Sequence, residues 1–271
     1  MKGDFILFDP MFRVPMFTGL ALAVSLSLIG AFLRLKNEWL SAFGLSQISA
    51  AGAVAGIALG VPPIFTAVIT AVLASFFKIL NPDSNNSHYA LMIIVGWAGS
   101  IILAANTYHG EVAGETFLRG QLYFTHTGHL IGAGILTATL LGTVRWLSPR
   151  LLTERFFPDY YSANDKPALK HRLLFTAFVI FSVVLGTVSL GAFPAFAMFF
   201  VPSWAGFVIV NGWKKSLLAS VIIGILAYLI SFAVAVLGDQ PFGPILMIVL
   251  SAFSLLRFSP GFFRKTFSSF T

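Results

Sequence analysis

Lys214-Lys215 is followed by Ser216-Leu217-Leu218-Ala219-Ser220-Val221-Ile222-Ile223-Gly224-Ile225-Leu226-Ala227-Tyr228-Leu229-Ile230-Ser231-Phe232-Ala233-Val234-Ala235-Val236-Leu237, and only then by Gly238-Asp239. No charge interrupts this run. A helix rising roughly 1.5 Å per residue crosses the hydrocarbon core of a bilayer in about 20 residues. The run therefore reads as a membrane crossing with a lysine pair at one end.

The whole chain has the same character. Of its 271 residues, 57% are hydrophobic and only 10% charged, with a mean hydropathy of +0.88. A soluble domain carries about 25% charged residues, so a soluble globular enzyme is excluded. Splitting the apolar stretches at charges, Pro/Gly clusters and polar runs predicts crossings near 15–33, 41–60, 63–80, 88–105, 122–144, 173–191, 194–212, 216–237 and 242–256. The expected fold class is all-α: a polytopic membrane protein with about nine transmembrane helices, forming a single domain over residues 1–271. Continuous runs without alternation argue against a β-barrel. The first run lacks a small-residue cleavage site and follows Asp4, Asp9 and Arg13, so it reads as a retained helix. The absence of cysteine excludes disulfides and thiolate chemistry.

Basic residues set the expected orientation, because they gather in cytoplasmic loops. With a cytoplasmic C-terminus, fourteen of the seventeen Lys and Arg residues fall inside, and only Lys2, Arg13 and Arg119 fall outside. An odd number of helices then places the N-terminus outside. The net charge of +7 is thus topological, which argues against a nucleic-acid partner and for the lipid bilayer.

Three places are more than apolar helix. In the second crossing Gly52, Gly56 and Gly60 recur every four residues among alanines, a flat face that admits a close helix neighbour. Packing inside one subunit and a pore or dimer face explain it equally well. The inside segment 145–172 contains the Phe156–Pro167 stretch, with two prolines bracketing room for two or three helical turns and Asp159 placed to cap them. Its aromatics suggest a docking surface, and the alternative is a helix lying on the headgroups. The outside segment, with a loop over 106–121, holds His109, Glu111, Glu115, His126 and His129. Imidazole and carboxylate suit a divalent metal, but the spacing lacks a helical i, i+4 histidine pair, which favours solvated loop residues.

The crossings contain no Asp, Glu, Lys or Arg away from their ends. Buried ionisable groups are the usual parts of ion-coupled pumps. There is also no phosphate-binding glycine loop and no Gly-x-Ser-x-Gly. The chain is expected to be no enzyme, and any work it does must be supplied by a partner.

Several stretches, in order, resemble the ABC-3 family, the membrane permease subunits of bacterial zinc, manganese and iron ABC importers. Asp9-Pro10-Met11-Phe12-Arg13, Gly19-Leu20-Ala21 and Gly30-Ala31-Phe32-Leu33-Arg34-Leu35 resemble the family's opening. Gly120-Gln121-Leu122-Tyr123 with Gly128-His129-Leu130 resembles its "FGDIL…EDL" loop. Phe157-Pro158-Asp159-Tyr160-Tyr161-Ser162-Ala163 resembles its "FDEEFA" cytoplasmic segment. Gly191 and Phe200-Val201-Pro202-Ser203-Trp204-Ala205-Gly206 resemble "VG…LLVIPAATA".

The resemblance implies a permease in the bacterial inner membrane, paired with itself or a related permease. It implies a cytoplasmic ATPase subunit carrying ATP and Mg, no cofactor in this chain, and a periplasmic or extracellular substrate-binding protein. It assigns coupling to Phe157, Asp159, Tyr160 and Tyr161, and pathway or packing roles to Ser46, Gln47, Ser49, Gly52, Gly56, Gly60 and Pro202. The family's "GDALSHAVLPG" reads here Gly44-Leu45-Ser46-Gln47-Ile48-Ser49-Ala50-Ala51-Gly52, so Leu45 and Ser49 stand where Asp and His are expected. The acidic residue of the "FGDIL" loop is Gln121. Either a divalent metal passes without strong ligands, or the cargo is a chelate, haem or another small organic molecule. A non-transporting scaffold and a facilitator are the remaining readings.

Overall fold

The computed structural model describes residues 10–80, 86–107, 122–164 and 167–254. Among them the chain is helical and contains no strand: α1 Pro10–Leu35, α2 Trp39–Leu59, α3 Pro63–Leu80, α4 Asn86–Ala105, a 3-10 turn Leu122–Phe124, α5 Thr127–Phe156, α6 Tyr160–Ala163, α7 Leu169–Leu190, α8 Ala192–Ile209, α9 Trp213–Leu237 and α10 Phe242–Ser254. A helix underlies every expected crossing. Seven of them are long and apolar enough to span a bilayer, while Pro63–Phe76 and Phe242–Ser254 are shorter apolar helices.

The boundaries differ most at α5. The expected crossing 122–144 begins instead as the 3-10 turn, where the Thr125 hydroxyl donates to the Leu122 carbonyl at 2.7 Å. The helix then runs past Arg145 and Pro149 to Phe156. Charges end an apolar run in sequence, but they do not end a helix that leaves the hydrocarbon.

α1 is the central helix and packs against α5, α7, α8 and α9. Apolar tails solvate a helix as well as another helix does, so association inside a bilayer depends on close van der Waals fit between small residues. Gly30 abuts the Phe199 backbone, Gly224 of α9 abuts Ser27 and Ala23 of α1, and Gly186 of α7 abuts Leu26 and Ala195. Gly19 makes room for Tyr228, a fully buried ring whose hydroxyl donates to the Pro15 and Met16 carbonyls at 3.1 Å each.

α2 is clasped between α3 and α4. A β carbon at Gly52 would lie 2.8 Å from the Thr66 carbonyl oxygen, and one at Gly56 would lie 3.1 Å from the Pro63 α carbon. The Thr70 hydroxyl reaches across to the Ile48 carbonyl at 3.3 Å. On the opposite side, Gly96 of α4 rests on the backbone of Gln47 and Ile48. Between α7 and α8 there is one residue, Gly191, at φ 95°. That left-handed conformation favours glycine.

Candidate coupling element and pathway helices

The candidate coupling element grows from the end of α5. Phe157 closes that helix by donating its amide to the Thr153 carbonyl at 2.8 Å, and the chain turns through Pro158 and Asp159 into α6. α6 is a single turn, shorter than the two or three turns expected. The Asn164 amide donates to the Tyr160 carbonyl at 2.8 Å and takes up an acceptor that a longer helix would use. Asp159 occupies the N-cap position but its side chain makes no capping hydrogen bond, contrary to expectation. Its backbone is already αR (φ −84°, ψ −1°), whereas a capping residue usually needs an extended one. The Asp159 carbonyl does accept, from the Ala163 amide at 2.8 Å and the Ser162 hydroxyl at 3.0 Å.

The two tyrosine rings meet edge to face with centroids 5.4 Å apart, but they differ in exposure. Phe156, Phe157 and Tyr160 are exposed, at 68%, 65% and 38%. Tyr161 turns inward, its ring 4.8 Å from that of His171 and its hydroxyl 3.5 Å from the Arg150 carbonyl. His171, buried at the start of α7, contacts Glu154 Oε2 at 3.1 Å through Nε2. Arg172 Nε donates to Glu154 Oε1 at 2.7 Å. Glu154 thus ties the last turn of α5 to the first turn of α7, and Tyr161 fastens α6 to that joint. The Glu154–His171 link was not expected, although the acid and the His-Arg pair flank the aromatic stretch in sequence.

The residues expected to line a pathway are inside the subunit. Leu45, Ser46, Gln47, Ser49, Gly52, Gly56 and Pro202 are all buried. The Ser46 hydroxyl bonds its own helix at Ala42, while the Gln47 amide and Ser49 hydroxyl find no hydrogen-bond partner among the described residues. Gly52 and Gly56 let α2 close on Thr66, Thr70 and Pro63 of α3. Gly60 takes no part in this, since it is the left-handed C-cap of α2 at φ 69° with open space around it. Pro202 lies within α8, where it removes one backbone donor.

Sequence reasoning missed an aromatic ladder. Phe196, Phe200 and Trp204 stack along α8, with centroids 5.9 and 6.5 Å apart. Trp39 and Phe43 of α2 join them, Phe43 stacking on Phe196 at 4.6 Å and Trp39 lying 5.2 Å from Phe200. At one end Arg34, Trp39, Phe200, Ser203 and Trp204 line a pocket of about 230 Å³. The i, i+4 spacing of Phe196, Phe200 and Trp204 was the available signal.

His126 and His129 start α5 and pack on each other edge to face at 4.2 Å, His129 Nδ1 accepting from the His126 amide at 3.4 Å. They are helix-start residues and not loop residues. His109, Glu111, Glu115 and Gln121 lie outside the described residues. Among the described residues no three His, Asp or Glu side chains come together as a metal site.

The sequence model of the ABC 3 transport family matches residues 8–260. The chain belongs to that family. As an ABC-3 permease it is a multi-pass membrane protein and a transport subunit. Its fold matches PsaBC from Streptococcus pneumoniae in complex with Fab, with a TM-score of 0.82 and 16% identity over 95% of this chain and 94% of that one. It also matches an inward-facing conformation of a metal-chelate type ABC transporter, with a TM-score of 0.72 and 16% identity over 94% and 90%. No curated protein matches the sequence.

Proposed function

We propose that this ABC-3 chain is the permease of an ATP-driven importer of a divalent transition metal in the bacterial inner membrane. It works as a dimer, with itself or a related permease, beside two cytoplasmic ATPase subunits that bind ATP and Mg and an external substrate-binding protein. The C-terminus and the 156–167 segment face the cytoplasm, and the 106–121 loop and N-terminus face outward. The observation that carries this reading is the family match over residues 8–260. The exposed Phe156, Phe157 and Tyr160 at the foot of α5 and α7 support docking of the ATPase there, since aromatic anchors dominate interface energetics.

A second cargo reading has its own support. Leu45 and Ser49 offer a hard cation neither carboxylate nor imidazole, whereas the α2–α8 ladder offers stacked aromatic surface and one guanidinium. Those features suit a metal whose ligands travel with it, and one structural neighbour is of metal-chelate type. The deciding experiment is elemental analysis and mass spectrometry of the binding protein that co-purifies with the permease. A bare zinc, manganese or iron ion supports the first reading, and a metal with an organic ligand supports the second. A binding protein holding neither metal nor chelate defeats both.

A further inference from the structure

We propose that the groove between α3, α5 and α7 holds one acyl chain of an anionic phospholipid whose headgroup is met by Arg150 and Lys170. The groove has a volume of about 700 Å³ and is walled by Phe65 and Val68 of α3, Ile135 and Thr139 of α5, and Phe178 and Phe181 of α7. Its two lining hydroxyls, Thr139 and Thr143, donate to carbonyls of their own helix, Ile135 at 2.7 Å and Thr139 at 2.8 Å. No charged side chain lines it. Two of its walls, α5 and α7, are long and apolar enough to span a bilayer, where lipid tails fill any apolar concavity that protein does not.

Its length and ends select the occupant. On α5 the groove runs from Gly132 to Thr143, and on α7 from Leu185 to Leu174. Eleven helical steps of roughly 1.5 Å give ~17 Å, close to one leaflet's share of a hydrocarbon core of about 30 Å. Beyond Thr143 the same face of α5 continues through the exposed Trp146 to Arg150, whose guanidinium lies 4.0 Å over the Trp146 ring. One turn before Leu174 on α7 stands the exposed Lys170. Tryptophan and snorkelling cations mark the headgroup level, and basic pockets between membrane helices take anionic headgroups. The nearby Glu154 carboxylate is engaged by Arg172 and His171, which leaves the mouth cationic.

The full-length protein would be purified and titrated with phosphatidylglycerol or phosphatidylcholine under native mass spectrometry. One phosphatidylglycerol should be retained roughly 30-fold better than phosphatidylcholine, the scale of two near-surface cations. Arg150→Gln with Lys170→Gln should remove that preference. A phosphatidylglycerol carrying a photoreactive acyl chain should crosslink to residues 132–143 and 174–185 in the unaltered protein, a readout that needs no variant to fold. Filling the groove with Thr139→Phe should abolish that crosslink. Equal retention of the two lipids, or crosslinks confined to other helices, overturns the proposal. So does loss of dimer without loss of lipid in Thr139→Phe, which would assign the groove to a second copy of the chain.

Discussion

Gly30 of α1 faces the carbonyl oxygen of Phe199 on α8 so closely that a β carbon at residue 30 would overlap it. Neither backbone can yield, because each is held in the middle of a helix. Overpacking a well-packed interior typically costs about 1–3 kcal/mol and occasionally more, and a backbone obstacle belongs at the upper end. Gly30→Ala should therefore sharply lower the unfolding temperature in detergent and the amount of protein in the membrane. Gly134→Ala is the control, since a β carbon there meets nothing within 4 Å and alanine favours the helix. Equal stability of the two variants would refute the contact.

The tyrosines of α6 should separate by phenotype. Tyr160→Ala removes an outward ring and should weaken ATPase binding by roughly 30-fold, from about 2 kcal/mol at an interface anchor, with abundance unchanged. Tyr161→Ala should instead loosen α6 from Arg150 and His171, and be seen first as faster proteolysis between Phe156 and Pro167. Pull-down of the ATPase and limited proteolysis measure the two effects. If Tyr160→Ala at normal abundance binds and transports as before, the element is not the docking surface.

Glu154 joins α5 to α7 through two partners, so Glu154→Ala leaves the buried His171 without its hydrogen bond. An orphaned buried group costs about 1–3 kcal/mol. Glu154→Gln keeps an acceptor for one partner and should restore about half of that loss in thermal unfolding. Wild-type stability in Glu154→Ala would show that the joint carries no strength.

Orientation is open to direct measurement. Single cysteines at Ala163 and Thr116 should react with an impermeant reagent from opposite faces of the membrane, Thr116 in intact cells and Ala163 only after permeabilisation. Labelling of both in intact cells overturns the basic-residue argument.

His109, His126 and His129 are expected to matter little to transport. His126 and His129 are occupied with each other at the start of α5. Replacing His109, His126 and His129 together with Ala should leave transport within a few-fold. Complete loss at normal abundance would place a cargo entry site at these histidines.

The helices were legible because membrane burial demands long apolar runs, and those runs are visible one residue at a time. Their ends were not, because Arg145 and Lys170 interrupt hydropathy without ending the helix, and Pro149 removes one backbone donor from α5 without breaking it. The Gly52–Gly56 face announced a close neighbour, but only the fold could say that the neighbour is Thr66 and Thr70 of α3. Phe157 and Tyr160 were found as a docking candidate from aromatics in a polar segment. The inward turn of Tyr161 depends on His171, which joins it only when α5 and α7 stand side by side. The ladder of Phe43, Phe196 and Phe200 was hidden for a related reason, since an aromatic in a membrane helix looks the same whether it meets lipid or another ring.

Gly191 gives α7 and α8 a mechanical relationship that two helices joined by a loop do not have. α7 stands on the Glu154 joint at one end and meets α8 through one residue at the other. A long loop would leave the two helix ends independent, whereas one residue between two peptide bonds keeps them adjacent. A change in the tilt of α7 at that end would have to be taken up in the backbone angles of Gly191 or be shared with the start of α8, where the Phe193 ring lies 5.3 Å from that of Phe43.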